Sequence, residues 1–93
     1  MKNATGNISN KVGFKLTAEP GSAVFVAGTF NNWDPSQYKL RDNAKRGIYK
    51  TTLTLSPGQH EYKFIVNGVW CADPGCPDDV LNVHGTHNSV LRI

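Results

Sequence analysis

No stretch of this sequence approaches the roughly 18 consecutive apolar residues of a membrane-spanning helix. The amino-terminal residues also lack the basic-then-apolar profile of a signal peptide, so a cytoplasmic location is the expectation. Cysteine is scarce, two in 93 residues, which excludes a dense disulfide framework. Acidic residues are few, 7 against 10 basic ones. The candidates Asp34, Asp42, Glu61 and Asp73 offer no converging pair of carboxylates of the kind glycoside hydrolysis requires, and no enzyme is expected. Apolar residues never recur with a helical period, and no internal repeat is visible.

What the chain does have is turn chemistry. Pro20-Gly21, Asn31 to Pro35, Asn43 to Gly47, Pro57-Gly58, Asn67-Gly68 and Pro74 to Pro77 punctuate short runs of alternating or continuous apolar residues. That spacing predicts an all-β antiparallel sandwich in a single domain, since a chain this long holds one core. Residues 1–11, rich in Asn, Ser and Gly, are expected to form a flexible tail, with the domain over 12–93. The sequons Asn3-Ala4-Thr5 and Asn7-Ile8-Ser9 lie in that tail and carry no weight without a secretory context. Strands are expected at Val12 to Leu16, Ser22 to Ala27, Gly47 to Leu55 and His60 to Val66.

Two hairpins can be registered from turn type. A type II turn at Ser56-Pro57-Gly58-Gln59 sets Leu55 opposite His60, Leu53 opposite Tyr62, Thr51 opposite Phe64 and Tyr49 opposite Val66, giving one apolar face. Asn67-Gly68, the strongest two-residue hairpin signal, sets Val66 opposite Val69 and Ile65 opposite Trp70. Trp70 then lies on the outer face, diagonal to Lys63 and about 7 to 8 Å from it. Trp33 sits among Asn31, Asn32, Asp34 and Pro35, an exposed-loop composition. Exposed indoles on rigid turns are a binding surface.

Other patterns read as ordinary surface. Lys39, Arg41, Lys45, Arg46 and Lys50 cluster within twelve positions but lack any nucleic-acid-binding signature, so a solvated face is expected and no nucleic-acid partner. Cys71, Cys76, His84 and His87 form a zinc-like string with unsuitable spacing, and no metal or other cofactor is expected. Whether Cys71 and Cys76 form a disulfide stays open. Asp73, Asp78 and Asp79 read as turn formers among prolines and not as a calcium loop. His60 reads as a satisfied histidine at the core edge.

Val24-Phe25-Val26-Ala27-Gly28-Thr29-Phe30-Asn31-Asn32-Trp33, then Glu61 to Trp70, then Gly85-Thr86-His87-Asn88-Ser89-Val90, together resemble the family 48 carbohydrate-binding modules. The resemblance covers about Val12 to Ile93. It implies an immunoglobulin-like (early-set) β-sandwich that is non-catalytic and binds α-1,4-linked glucans such as glycogen, starch and maltodextrins. It further implies that Trp33 and Trp70 stack on glucose units, with polar contacts from Lys63, Thr86 and Asn88. This chain has His84 where the family uses an apolar residue, and an imidazole can stack or donate a hydrogen bond there. The implied partners are an α-glucan and an enzyme or kinase in cis or trans. The competing reading is a protein-interaction sandwich that keeps the fold without sugar binding.

Overall fold

Side chains that alternate between apolar and polar give each strand one buried and one wet face, and such strands must stack in layers to hide the first. A computed structural model describes residues 10–93. Eight strands follow in order: β1 (Asn10–Thr17), β2 (Val24–Gly28), β3 (Tyr38–Leu40), β4 (Ile48–Leu55), β5 (Gln59–Val66), β6 (Val69–Cys71), β7 (Asp79–Leu81) and β8 (His87–Arg92). Among the described residues there is no helix. β1 and β4 form one antiparallel sheet; the other has the order β3-β2-β5-β8-β7, with β6 also paired to β5. The two layers make a small antiparallel β-sandwich.

The core lies between the layers. Phe14, Leu16, Tyr49 and Leu55 of the small sheet meet Val24, Val26, Leu40, Tyr62 and Phe64 of the large one. Phe14 packs edge-on against Tyr62 and Phe64, with ring centroids 5.1 and 6.5 Å away, an arrangement that suits aromatic quadrupoles. His60 sits at the edge of this core, beside the Phe30 ring and with Nε2 2.9 Å from the Ser56 carbonyl oxygen.

The expected pairing of Leu55 with His60 and its successors does not occur. β4 pairs with β1, setting Leu55 opposite Asn10 and Tyr49 opposite Leu16, while β5 pairs with β2, β6 and β8. Ser56 to Gly58 is a crossover between sheets, closed by mutual hydrogen bonds between Gly58 and Ile93 of 3.0 and 2.9 Å. The expected inward face holds nonetheless: Tyr49, Leu55, Tyr62 and Phe64 all point into the core. Period two fixes which way a side chain points and is silent about which strand lies alongside. Asn10 and Lys11, expected in the tail, pair with Leu55 and Thr54 in β1. The rest of the expected tail, with both sequons, lies outside the described residues.

Candidate functional site

Trp70 is held by the turn that precedes it. Asn67 and Gly68 have φ of 50° and 83°, the two left-handed residues of a type I′ turn. The Asn67 N–H donates to the Ala23 carbonyl (2.8 Å), and its Oδ1 accepts from the Ala23 N–H (2.9 Å). Val66 consequently opposes Val69 and Ile65 opposes Trp70, as the sequence predicts. Ile65 is 4% exposed although it lies on the outer face, and Trp70 beside it keeps 42% of its surface in solvent. Lys63, two residues from Ile65, shares that face.

Trp33 is held by a loop folded onto one carbonyl. Gly28 O accepts from the N–H groups of Asn31 (3.1 Å) and Trp33 (3.0 Å), and Gly28 N–H donates to Asn31 Oδ1 (3.0 Å). Asn32 and Trp33 have φ of 56° and 58°. A tryptophan in the left-handed region costs about 1 to 2 kcal/mol, so these bonds keep a strained backbone in place to aim the indole. Asp34 Oδ1 continues the loop by accepting from the Ser36 N–H (2.9 Å) and hydroxyl (2.7 Å), which holds its carboxyl below the ordinary 3.8. A depressed carboxylate stabilises above its unfolded value and loses that contribution as pH falls toward the folded one. Acidification below about pH 4 is therefore expected to loosen the loop, read as a Trp33 fluorescence change in a Trp70→Phe background that Asp34→Asn removes.

Together the two indoles form a bent platform, with ring centroids 6.5 Å apart and planes tilted by 47°. Below it runs a polar chain. Lys63 Nζ donates to Thr86 Oγ1 (2.8 Å), and Asn82 Nδ2 donates both to the same oxygen (2.8 Å) and to Asn88 Oδ1 (3.0 Å). Asn88 Nδ2 in turn donates to Glu61 Oε1 (3.0 Å). Asn82 Oδ1 accepts from the N–H groups of His84 (2.9 Å) and Thr86 (3.1 Å), so the backbone itself fixes that amide's orientation. With both acceptor positions of Thr86 Oγ1 filled, its hydroxyl hydrogen is what it offers outward. Asn88 is buried with both ends of its amide engaged, at the base of the site.

All six predicted residues, Trp33, Lys63, Trp70, His84, Thr86 and Asn88, line one groove of about 590 Å³. Thr29, Glu61, Asn82 and Val83 line it too and were missed. Glu61 was legible, because alternation puts it on the face of Lys63. Asn82 carried only the weak signal of a turn-forming residue three positions before Gly85. Val83, 95% exposed beside His84, brings an apolar side chain to the rim.

The remaining candidates are placed elsewhere. His87 Nδ1 is 3.4 Å from Asp79 Oδ1, while Cys76 Sγ donates to the carbonyls of Asp78 (3.2 Å) and Val90 (3.4 Å). Both cysteines are free thiols; Cys71 packs against the core, where burial raises its pKa against the opposing pull of Lys63. Asp73 accepts from the Tyr62 hydroxyl (2.6 Å) and donates its N–H to Ser89 Oγ (2.9 Å), pinning the chain after β6. Burial and that bond to Asp73 push the Tyr62 pKa up. Among the described residues no three His, Cys, Asp or Glu side chains converge as metal ligands.

A sequence profile described as the glycogen recognition site of AMP-activated protein kinase matches residues 11–93. The chain is 37% identical over 76 residues to the rice (Oryza sativa subsp. japonica) protein FLOURY ENDOSPERM 6, chloroplastic, covering 82% of this chain and 14% of that protein. It is 36% identical over 73 residues to 5'-AMP-activated protein kinase subunit beta-1 of Sus scrofa, covering 78% and 56% respectively. For subunit beta-2 of Homo sapiens the figures are 34% over 76 residues, 82% and 26%. The chain thus spans only part of the length of each of these relatives.

Proposed function

Because this chain belongs to the family of glycogen recognition sites of AMP-activated protein kinase, we propose that it docks on α-1,4-linked glucans through Trp33 and Trp70 and so targets an associated kinase-type partner. It is a carbohydrate-binding module and is non-catalytic. The observation that carries the finer reading is the 47° tilt between the two indoles. A pyranose has an apolar axial-hydrogen face and a rim of hydroxyls, so it pairs with a flat aromatic plate and with donors such as Lys63 and Thr86. Plates set at an angle follow a curved α-1,4 chain, whereas a flat β-1,4 glucan wants a coplanar strip.

Each plate covers one sugar face only. At about 25 cal/mol per Å², less the cost of association, affinity falls in the micromolar to millimolar range, raised by avidity on a branched polymer. Isothermal titration with maltoheptaose tests this, with cellohexaose as the linkage control. Heat from maltoheptaose alone supports the reading; no heat at millimolar maltoheptaose ends it and leaves the protein-interaction alternative.

Asn82 supplies a narrower check. Asn82→Asp keeps the Oδ1 that accepts from His84 and Thr86 but loses the Nδ2 donor to Thr86 and Asn88. Maltoheptaose affinity should drop about fivefold, the worth of one well-placed hydrogen bond, and the thermal midpoint should fall by about 5 °C, because the buried Asn88 Oδ1 loses its donor.

A further inference from the structure

A second concavity, of about 620 Å³, lies where the β1–β2 turn (Pro20 to Ser22) meets the loop that follows β3. Lys39, Arg41 and Lys45 line it, all exposed. Among the described residues none of the three is in an ion pair. Among the described residues that line it the one carboxylate, Asp42, is occupied by backbone: its oxygens accept from the N–H groups of Arg46 (3.0 Å) and Gly47 (2.6 Å). The wall opposite is fixed, because the Tyr49 hydroxyl donates to Glu19 O (2.8 Å) and accepts from Ser22 N–H (2.9 Å).

This concavity opens at the edge of the sandwich, between Leu40 of the large sheet and Tyr49 of the small one, and its Lys39 wall reaches the sheet face of the tryptophan groove. Lys39 opposes Phe25, Phe25 opposes Ile65, and Ile65 opposes Trp70, one row across four strands. Leu40 points into the core, so its neighbour Lys39 points to the outer face where Trp70 lies. Three steps between strands put the two positions about 14 Å apart. The walls are also coupled, since Asn67, which sets the turn before Trp70, bonds to Ala23 N–H and Ser22 Oγ.

The geometry points to a subsite for a glucose phosphate monoester in the cleft of Lys39, Arg41 and Lys45. A monoester carries about −1.5 to −2 charge near neutral pH, which three cations facing one engaged carboxylate match better than a carboxylate ligand's single charge would. Arg41 adds a planar fork that can hold two phosphate oxygens at once. The ester arrives either on a glucan held by the tryptophans, which rests on the proposed function, or as a free sugar phosphate, which does not.

Titration calorimetry comparing maltoheptaose with maltoheptaose bearing one 6-phosphate tests the first source. Wild type should bind the phosphorylated chain about fivefold more tightly, as expected for exposed ion pairs, and salt should erode the gain. The variant Lys39→Gln/Arg41→Gln/Lys45→Gln alters only exposed side chains; it should lose the gain and keep the affinity for the neutral chain. A second arm follows the backbone amide resonances of Gly21, Arg41 and Lys45 with glucose 6-phosphate, glucose and sodium sulfate. Shifts with glucose 6-phosphate alone assign the site to free sugar phosphate. A calorimetric gain with no such shifts assigns it to an ester carried on glucan. Equal affinity for both chains with no glucose 6-phosphate shifts overturns the proposal, as does a gain that survives the triple substitution or an equal response to sulfate. Amide shifts with glucose 6-phosphate in a protein that gives no heat with neutral maltoheptaose would sink the glucan reading and leave this site standing.

Discussion

Gly28→Ala should lower stability by about 3 kcal/mol, the upper end of what overpacking costs, and lower the thermal midpoint by about 15 °C in a domain of this size. A Cβ at Gly28 would lie 2.3 Å from the Glu61 carbonyl oxygen and 2.7 Å from the Phe30 ring. The first is backbone in the central strand, which cannot swing aside as the end of a flexible side chain can. Moving it would also stretch the bond from Thr29 N–H to Glu61 O (2.9 Å) and shift the Gly28 carbonyl that anchors Trp33. Stability and glucan affinity should fall together. Gly13→Ala is the control: no atom lies within 4 Å of its Cβ position and its φ is not positive, so it should be neutral within about 0.5 kcal/mol. Circular dichroism melts of both variants decide it, and a Gly28→Ala melt that overlays wild type would refute the close-contact account.

Replacing either tryptophan with alanine should weaken maltoheptaose binding about thirty-fold, the roughly 2 kcal/mol typical of an aromatic hot spot. The double variant should give no measurable heat. Trp33 adds a signature of its own, because its φ of 58° strains any residue with a Cβ. Trp33→Gly should be more stable than Trp33→Ala by about 1 kcal/mol, reversing the usual cost of glycine, while both fail equally to bind. At Trp70 the backbone lies in regular strand β6, and alanine should be at least as stable as glycine there. If Trp33→Gly and Trp33→Ala melt together, the strain at that residue is not what holds the loop under tension.

The sequence made the Trp70 side of the groove legible, for local reasons. Asn67-Gly68 admits essentially one tight turn, the turn sets the register, and the register places Trp70 on the face of Lys63. Glu61 was available by the same alternation. The Trp33 loop was legible only as an exposed polar segment, since its shape depends on the Gly28 carbonyl, the two left-handed residues and the packing of β2 against β5. The Ser56 to Gln59 segment is ambiguous in sequence for a related reason: a proline-glycine corner fits a hairpin and a crossover equally well.

Composition, period and turn chemistry by themselves determined an all-β domain, the inward faces of β4 and β5, and the hairpin that carries Trp70. Only the tertiary structure decided that β4 leaves β5 for β1, that the two indoles meet at 6.5 Å and 47°, and that Asn82 ties Thr86 to Asn88. Side-chain alternation and tight turns are set by atoms a few residues apart. The choice of neighbouring strand and the meeting of distant loops follow from which layers bury the core together, a condition on the whole chain.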